Sequence, residues 1–98
     1  LTVLRNRDYR SEVTLYQDTV AKRPGNPLAH YNLAHVLDRT GRREEAVAAY
    51  REAIRLDLNR PAVHNNLGKT LSDLGRWEEA AIAYRAALRL LKDLDLIA

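Results

Sequence analysis

Several residue types are absent from this 98-residue sequence or scarce in it, and each absence narrows the structures that it can form. There is no cysteine, which excludes a disulfide framework and thiolate zinc sites and leaves the redox compartment undetermined. Phenylalanine and methionine are absent as well, and only three prolines interrupt the chain. Alanine, leucine, glutamate and arginine dominate instead, so the composition favours α-helices throughout.

Long apolar runs and charge clusters are also missing. No stretch approaches the ~20 apolar residues of a membrane-spanning helix, so this segment is not expected to span a membrane itself. The sequence as given carries no signal peptide and is expected to be soluble. Sixteen basic and thirteen acidic residues give a net charge of +3, with the arginines spread along the chain. A nucleic-acid surface needs clustered positive charge, so no nucleic-acid partner is expected.

What the sequence does contain is an internal repeat. Residues 27–60 and residues 61–94 share 16 identical positions out of 34. A fixed period of this length is typical of a solenoid, in which each repeat buries its apolar face against its neighbours. The identical positions include His30/His64, Asn32/Asn66, Leu33/Leu67, Leu37/Leu71, Gly41/Gly75, Ala46/Ala80, Tyr50/Tyr84 and Ala53/Ala87.

Each copy is expected to fold as two antiparallel helices joined by a tight turn that contains glycine. Apolar residues spaced by three or four predict helices over about 9–22, 27–39, 43–57, 61–74 and 77–94. Residues 33, 34 and 37 of the first copy, and residues 46, 50, 53 and 54, are expected to face inward. The apolar residues 1–4 are interpreted as a stub too short to form a stable helix of its own.

The first 26 residues align with only the second half of a repeat. Glu12 stands there at the position that Ala46 and Ala80 occupy in the complete copies. A carboxylate fits a repeat that lacks its first helix, because the side chain can stay hydrated. The predicted organisation is a partial repeat over 1–26, complete repeats over 27–60 and 61–94, and a tail over 95–98.

These residues resemble the tetratricopeptide repeat, which places an aromatic residue, Leu-Gly, a second aromatic, Ala, a third aromatic and a closing Pro at fixed offsets over 34 residues. The sequence departs from that pattern with His for the usual first Trp, with Leu for the second aromatic, and with Leu58 and Lys92 in place of the closing Pro. The resemblance implies an all-α fold, namely a right-handed α-α superhelix of about two and a half helical hairpins. It also implies that the protein is a non-catalytic scaffold that binds proteins or peptides.

A second resemblance concerns the opening segment. Residues 1–12, followed by residues 18–24, are similar to the join between the last membrane helix and the first repeat in transmembrane-and-tetratricopeptide proteins of the O-mannosyltransferase-like type. This resemblance implies derivation from a membrane protein with the repeats on the exocytoplasmic side. Arg5 and Arg7 oppose that side, because basic residues beside a membrane helix favour the cytoplasm. Both a cytoplasmic and an exocytoplasmic location are compatible with the sequence.

In tetratricopeptide arrays the first helices line a concave groove, and the resemblance implies which residues face it. Asn32 and Asn66 are the leading candidates for peptide binding, because a side-chain amide offers both a donor and an acceptor to a peptide backbone. The alternative is that they only bond neighbouring helices or loops. Tyr31 and His35 replace the Lys and Asn that a clamp for a C-terminal carboxylate would need. The predicted groove comprises Tyr31, Asn32, His35, Arg39, Asn65, Asn66, Lys69 and Asp73.

No catalytic, metal or cofactor site is expected. His30 and His64 occupy equivalent positions about 10 Å apart at helix packing distances, whereas zinc holds its ligands at ~2 Å, so both are interpreted as hydrogen-bonded packing residues. The Glu pairs at 44–45 and 78–79 suit the positive ends of helix dipoles, and Trp77 is expected to cover the turn before it.

Three functions fit these observations. The first is a scaffold whose groove binds an extended or helical peptide. The second is a non-catalytic appendage of a membrane glycosyltransferase-like protein. The third is self-association through exposed terminal helices, suggested by the partial first repeat and the leucine-rich segment from residue 88 onward.

Overall fold

The computed structural model describes the backbone of residues 2–97 and the side chains of residues 12–93. This part of the chain forms α1 (Thr2–Lys22), α2 (Pro27–Arg39), α3 (Arg43–Arg55), α4 (Pro61–Asp73) and α5 (Trp77–Ile97), and no strand. Helices α2 and α3 form one hairpin and α4 and α5 a second, with α1 packed on α2 and α3 packed on α4. The predicted all-α solenoid of helical hairpins is confirmed.

Four helix boundaries differ from the sequence prediction. Two of the differences are small, since α3 ends at Arg55 instead of residue 57 and α4 ends at Asp73 instead of residue 74. Residues 2–4 belong to α1, so the interpretation of an isolated stub is wrong; a segment continuous with a longer helix does not have to form a nucleus of its own. At the other end, α5 continues to Ile97, past the predicted end at residue 94. The side chains of Leu94, Leu96 and Ile97, and all of Ala98, lie outside the described residues.

The turns inside the two hairpins have the same geometry. Gly41 and Gly75 adopt φ values of 87° and 76°, in the left-handed region that favours glycine. The N–H of Arg42 donates to the Leu37 carbonyl at 2.8 Å, and the equivalent bond from Arg76 to Leu71 measures 2.9 Å. This is the Schellman arrangement, which satisfies the last carbonyls of α2 and α4 and fixes where each following helix begins.

Small residues allow the helices of each hairpin to approach closely. Ala34, Ala46 and Ala53 are fully buried, and Tyr50 is only 1% exposed. In the second hairpin Gly68 takes the place of Ala34, because a Cβ there would lie 2.9 Å from the Tyr84 ring. All the residues predicted to face inward belong to the core or pack against it.

Ion pairs join the start of α5 to α3. Arg76 Nη1 lies 2.8 Å from Glu44 Oε1, and Arg51 Nη2 lies 2.7 Å from Glu79 Oε1. Hydrogen bonds from Arg76 and then Arg51 lower the pKa of Glu79 to about 2. Because these groups are exposed, the pairs fix the relative position of the helices more than they stabilise the fold.

Candidate functional site

A cleft of about 230 Å³ lies between α1 and α2. Four predicted groove residues line it, namely Tyr31, Asn32, His35 and Arg39. They share one face of α2, because His35 lies four residues after Tyr31, three after Asn32 and four before Arg39. The remaining lining residues are Glu12, Tyr16 and Val36. This α1–α2 cleft is the candidate binding site.

An ion pair between Arg39 and Glu12 crosses the cleft. The two side chains remain 47% and 40% exposed, respectively. The sequence prediction that Glu12 stays hydrated therefore holds only in part, because it did not foresee the partner on α2. The feature of the sequence that pointed to this ion pair was Glu12 itself, which replaces the alanine of the other two copies. An exposed pair of this kind contributes ~0–1 kcal/mol, so a ligand can exchange with it at little cost.

Tyr16 and Val36 also line the cleft, although neither was among the predicted groove residues. Tyr16 aligns with Tyr50 and Tyr84 in the 34-residue repeat, so its inward orientation could have been read from the alignment. It is half-buried because no helix precedes α1 in the described chain to cover it. Its partly exposed ring gives the cleft an apolar wall.

The two equivalent asparagines have different roles. Asn66 Nδ2 donates to the Tyr31 hydroxyl at 2.9 Å, which ties α4 to α2. Asn32 is half-buried and makes no side-chain hydrogen bond within the described residues. The alternative in which an asparagine bonds a neighbouring helix thus applies to Asn66, whereas the Asn32 amide has no such partner among the described side chains.

The Tyr31 ring, which lines the cleft next to Asn32, packs against the buried ring of Tyr50. The Tyr31 and Tyr50 ring centroids lie 5.9 Å apart with the planes tilted by 56°, an edge-to-face type of contact. Burial, and secondly the charge of Asp38, raises the pKa of Tyr50 well above its usual range. Tyr31 is therefore held from two sides, by the Tyr50 ring and by the Asn66 amide.

The remaining predicted residues do not join the cleft. Asn65 is exposed and lines a separate groove between α4 and α5. Lys69 is exposed on α4 at the position equivalent to His35. Asp73 Oδ2 lies 3.7 Å from Arg43 Nε, which is also 3.7 Å from Asp38 Oδ1. The eight predicted residues therefore divide between the cleft, the connection between hairpins and a different face.

The histidines are hydrogen-bonded packing residues, as predicted. His30 Nε2 donates to the Pro24 carbonyl at 2.8 Å, and His64 Nε2 donates to Asn59 Oδ1 at 2.6 Å. Burial lowers the pKa of His64, which favours the neutral ring. Within residues 12–93, no three His, Asp or Glu side chains are arranged to hold a metal ion.

Two further predictions concern the residues at which α3 and α5 begin. Trp77 begins α5 directly after the turn at Gly75 and Arg76, and 67% of its surface is exposed. The acidic pairs do occupy the first turns of α3 and α5, as expected for the helix dipole. Among the described helices, none is long and apolar enough to cross a membrane.

Comparison with known proteins identifies the repeat. The family model described as Tetratricopeptide repeat matches residues 1–61 and residues 31–94. Similar solved structures include MamA 41-end from Desulfovibrio magneticus RS-1, with a TM-score of 0.85, 22% identity, and coverage of 95% of this chain. MamA AMB-1 gives a TM-score of 0.79 at 29% identity over 92% of this chain.

A third similar structure contains a ligand. It is the second TPR of Spaghetti (RPAP3) bound to the HSP90 peptide SRMEEVD, with a TM-score of 0.78 and 24% identity over 89% of this chain and 81% of that one. The present chain spans only about half of the two MamA chains, 52% and 53% of their lengths. Among curated protein sequences, none matches it.

Proposed function

Because the chain belongs to the tetratricopeptide repeat family, we propose that it is a non-catalytic interaction module that binds an extended peptide of a partner protein in the α1–α2 cleft. The observation that carries the proposal is the amide of Asn32, which lies on the wall of this cleft and has no hydrogen-bond partner among residues 12–93. The peptide-bound RPAP3 domain supports it by showing that a similar fold accommodates a peptide.

The chemistry of the cleft suits an extended chain. The Asn32 amide can donate to a backbone carbonyl and accept from a backbone N–H, which recognises a peptide irrespective of its side chains. The rings of Tyr16 and Tyr31 offer apolar surface to one side chain of the ligand. Arg39 can bind an acidic side chain once Glu12 moves away. The preferred ligand is therefore an extended segment with an apolar and an acidic residue.

Replacing Asn32 by Ala is expected to weaken peptide binding about five- to tenfold, because a hydrogen bond contributes on the order of 1 kcal/mol. The probe is a peptide selected on the immobilised protein from a random phage-displayed library, with affinity measured by fluorescence anisotropy. Asn65→Ala is the matched control, since Asn65 is an exposed asparagine on a different groove. If no peptide is selected, or if Asn32→Ala and Arg39→Ala both leave its affinity unchanged, the proposed site is wrong.

Replacing Glu12 by Gln is expected to strengthen binding of an acidic peptide by up to about fivefold, because the ligand no longer competes with an internal carboxylate for Arg39. The same selected peptide with its Asp and Glu residues changed to Asn and Gln serves as the comparison. Its affinity should not change with the Glu12 substitution. Equal gains for both peptides would contradict the role assigned to Arg39 while leaving Asn32 as the main contact.

A second candidate function rests on the opening segment alone. Its similarity to the join in transmembrane-and-tetratricopeptide proteins, together with a helix that is continuous from Thr2 into the first repeat, favours a non-catalytic appendage of a membrane glycosyltransferase-like protein. The upstream coding sequence tests it. Several membrane spans followed directly by this segment would support the candidate, and a soluble upstream domain would exclude it.

A further inference from the structure

Tyr31 lines the α1–α2 cleft, and its side chain is held by the helices that follow α2. Asn66 Nδ2 on α4 donates a hydrogen bond to the Tyr31 hydroxyl oxygen at 2.9 Å. The Tyr31 ring packs on the ring of Tyr50 on α3, which is 1% exposed. The position of the Tyr31 hydroxyl is therefore set by contacts on two other helices.

The direction of the bond from Asn66 decides what the Tyr31 hydroxyl can do. A phenol hydroxyl can accept hydrogen bonds at its oxygen and can donate its one proton. The Asn66 amide uses the oxygen as an acceptor, and among residues 12–93 no group accepts the proton of Tyr31. That proton is left to water or to a ligand, and a hydroxyl that accepts one bond is polarised into a stronger donor for another.

The place of Tyr31 along α2 indicates which ligand group accepts this proton. Tyr31 adjoins Asn32, whose amide suits a peptide backbone. Arg39, which suits an acidic side chain, lies eight residues further along the helix, about 12 Å away at a rise of ~1.5 Å per residue. An extended peptide needs about three or four residues to span that distance. The group beside Tyr31 is therefore a backbone carbonyl, separate from the carboxylate beside Arg39.

We propose that Asn66 is a positioning residue of the peptide site, which orients the Tyr31 hydroxyl so that it donates to a backbone carbonyl of the ligand. This inference rests on the proposed function. It gives the two repeated asparagines complementary tasks, because Asn32 contacts the ligand directly whereas Asn66 acts through Tyr31. A cleft between α1 and α2 then depends on the second hairpin for its full affinity.

A double-mutant cycle with the phage-selected peptide tests this role. Tyr31→Phe should weaken binding about fivefold, because it removes one hydrogen bond and keeps the ring. Asn66→Ala should weaken binding about threefold in the original protein and should have no effect in the Tyr31→Phe background, while Asn65→Ala changes neither. A residue that only stabilised the fold would act equally in both backgrounds, so equal losses would overturn the proposal.

Asn66→Asp tests the direction of the hydrogen bond. A carboxylate cannot donate to the Tyr31 oxygen and instead accepts the Tyr31 proton, so this variant should weaken binding more than Asn66→Ala does. The effect of the added charge alone is measured in the Tyr31→Phe background. If Asn66→Asp binds the peptide as tightly as the original protein does, the proposed orientation of the hydroxyl is wrong.

The neutral form of the selected peptide, with Asn and Gln in place of Asp and Glu, tests the ligand group. Tyr31→Phe should weaken the acidic and the neutral peptide by the same factor, because both contain the backbone carbonyl. A loss confined to the acidic peptide would mean that Tyr31 binds a carboxylate, against the proposal.

Failure of this inference and failure of the proposed function give different results. If no peptide is selected, or if Asn32→Ala and Arg39→Ala both leave its affinity unchanged, the site and this inference are both wrong. If Asn32→Ala weakens binding and Asn66→Ala does not, the peptide site stands and only the role of Asn66 is overturned.

Discussion

Replacing Ala46 by Glu is expected to leave the domain largely unfolded at 25 °C, although another copy of the repeat carries glutamate at the same position. Ala46 is fully buried in the helix interface, so the new carboxylate would have neither water nor a partner. Such a group costs several kcal/mol, against a total stability of about 5–15 kcal/mol for a domain. Circular dichroism at increasing urea concentration measures the loss.

The matched comparison is Glu12→Ala, which should change the free energy of unfolding by about 1 kcal/mol or less. It removes one exposed ion pair with Arg39 and creates no buried charge. Ala46→Gln separates the effect of volume from that of charge, because its side chain has nearly the same size. If Ala46→Glu unfolds at the same urea concentration as Glu12→Ala, the two positions are not as different in burial as the structure indicates.

Replacing Tyr50 by Ala is expected to lower the free energy of unfolding by about 3–5 kcal/mol, the usual cost of removing a large buried ring. Tyr50 is 1% exposed, and its ring contacts that of Tyr31 on α2. The variant leaves a cavity at the centre of the first hairpin, which the packed alanines around it cannot fill. Thermal unfolding followed by circular dichroism gives the change.

Tyr84→Ala provides the comparison within the same chain. Tyr84 is the repeat equivalent of Tyr50 but is only partly buried, so the loss should be about half as large or less. Tyr50→Phe keeps the ring and so separates the contribution of the hydroxyl from that of the ring. Equal losses at residues 50 and 84 would show that the Tyr84 ring is as well covered in solution as the Tyr50 ring, against the burial seen in the structure.

The sequence by itself determined the helical repeat and its core. The 34-residue period, the prolines at 27 and 61 and the glycines at 41 and 75 predicted the starts of four helices, because these signals are local and act through backbone conformation. Periodicity also identified the buried alanines and tyrosines. The resemblance to the tetratricopeptide family supplied eight candidate groove residues, of which four line the α1–α2 cleft.

Only the tertiary structure decided what each of those residues contacts. The sequence treats Asn32 and Asn66 as equivalent, but the bond from Asn66 to Tyr31 joins residues 35 positions apart, and the pair of Arg39 with Glu12 joins residues 27 apart. Such contacts depend on the distance and angle between packed helices, which periodicity does not specify. A repeat pattern assigns each side chain to a face of its helix, and the packing of neighbouring helices then determines which of those side chains remain available to a partner.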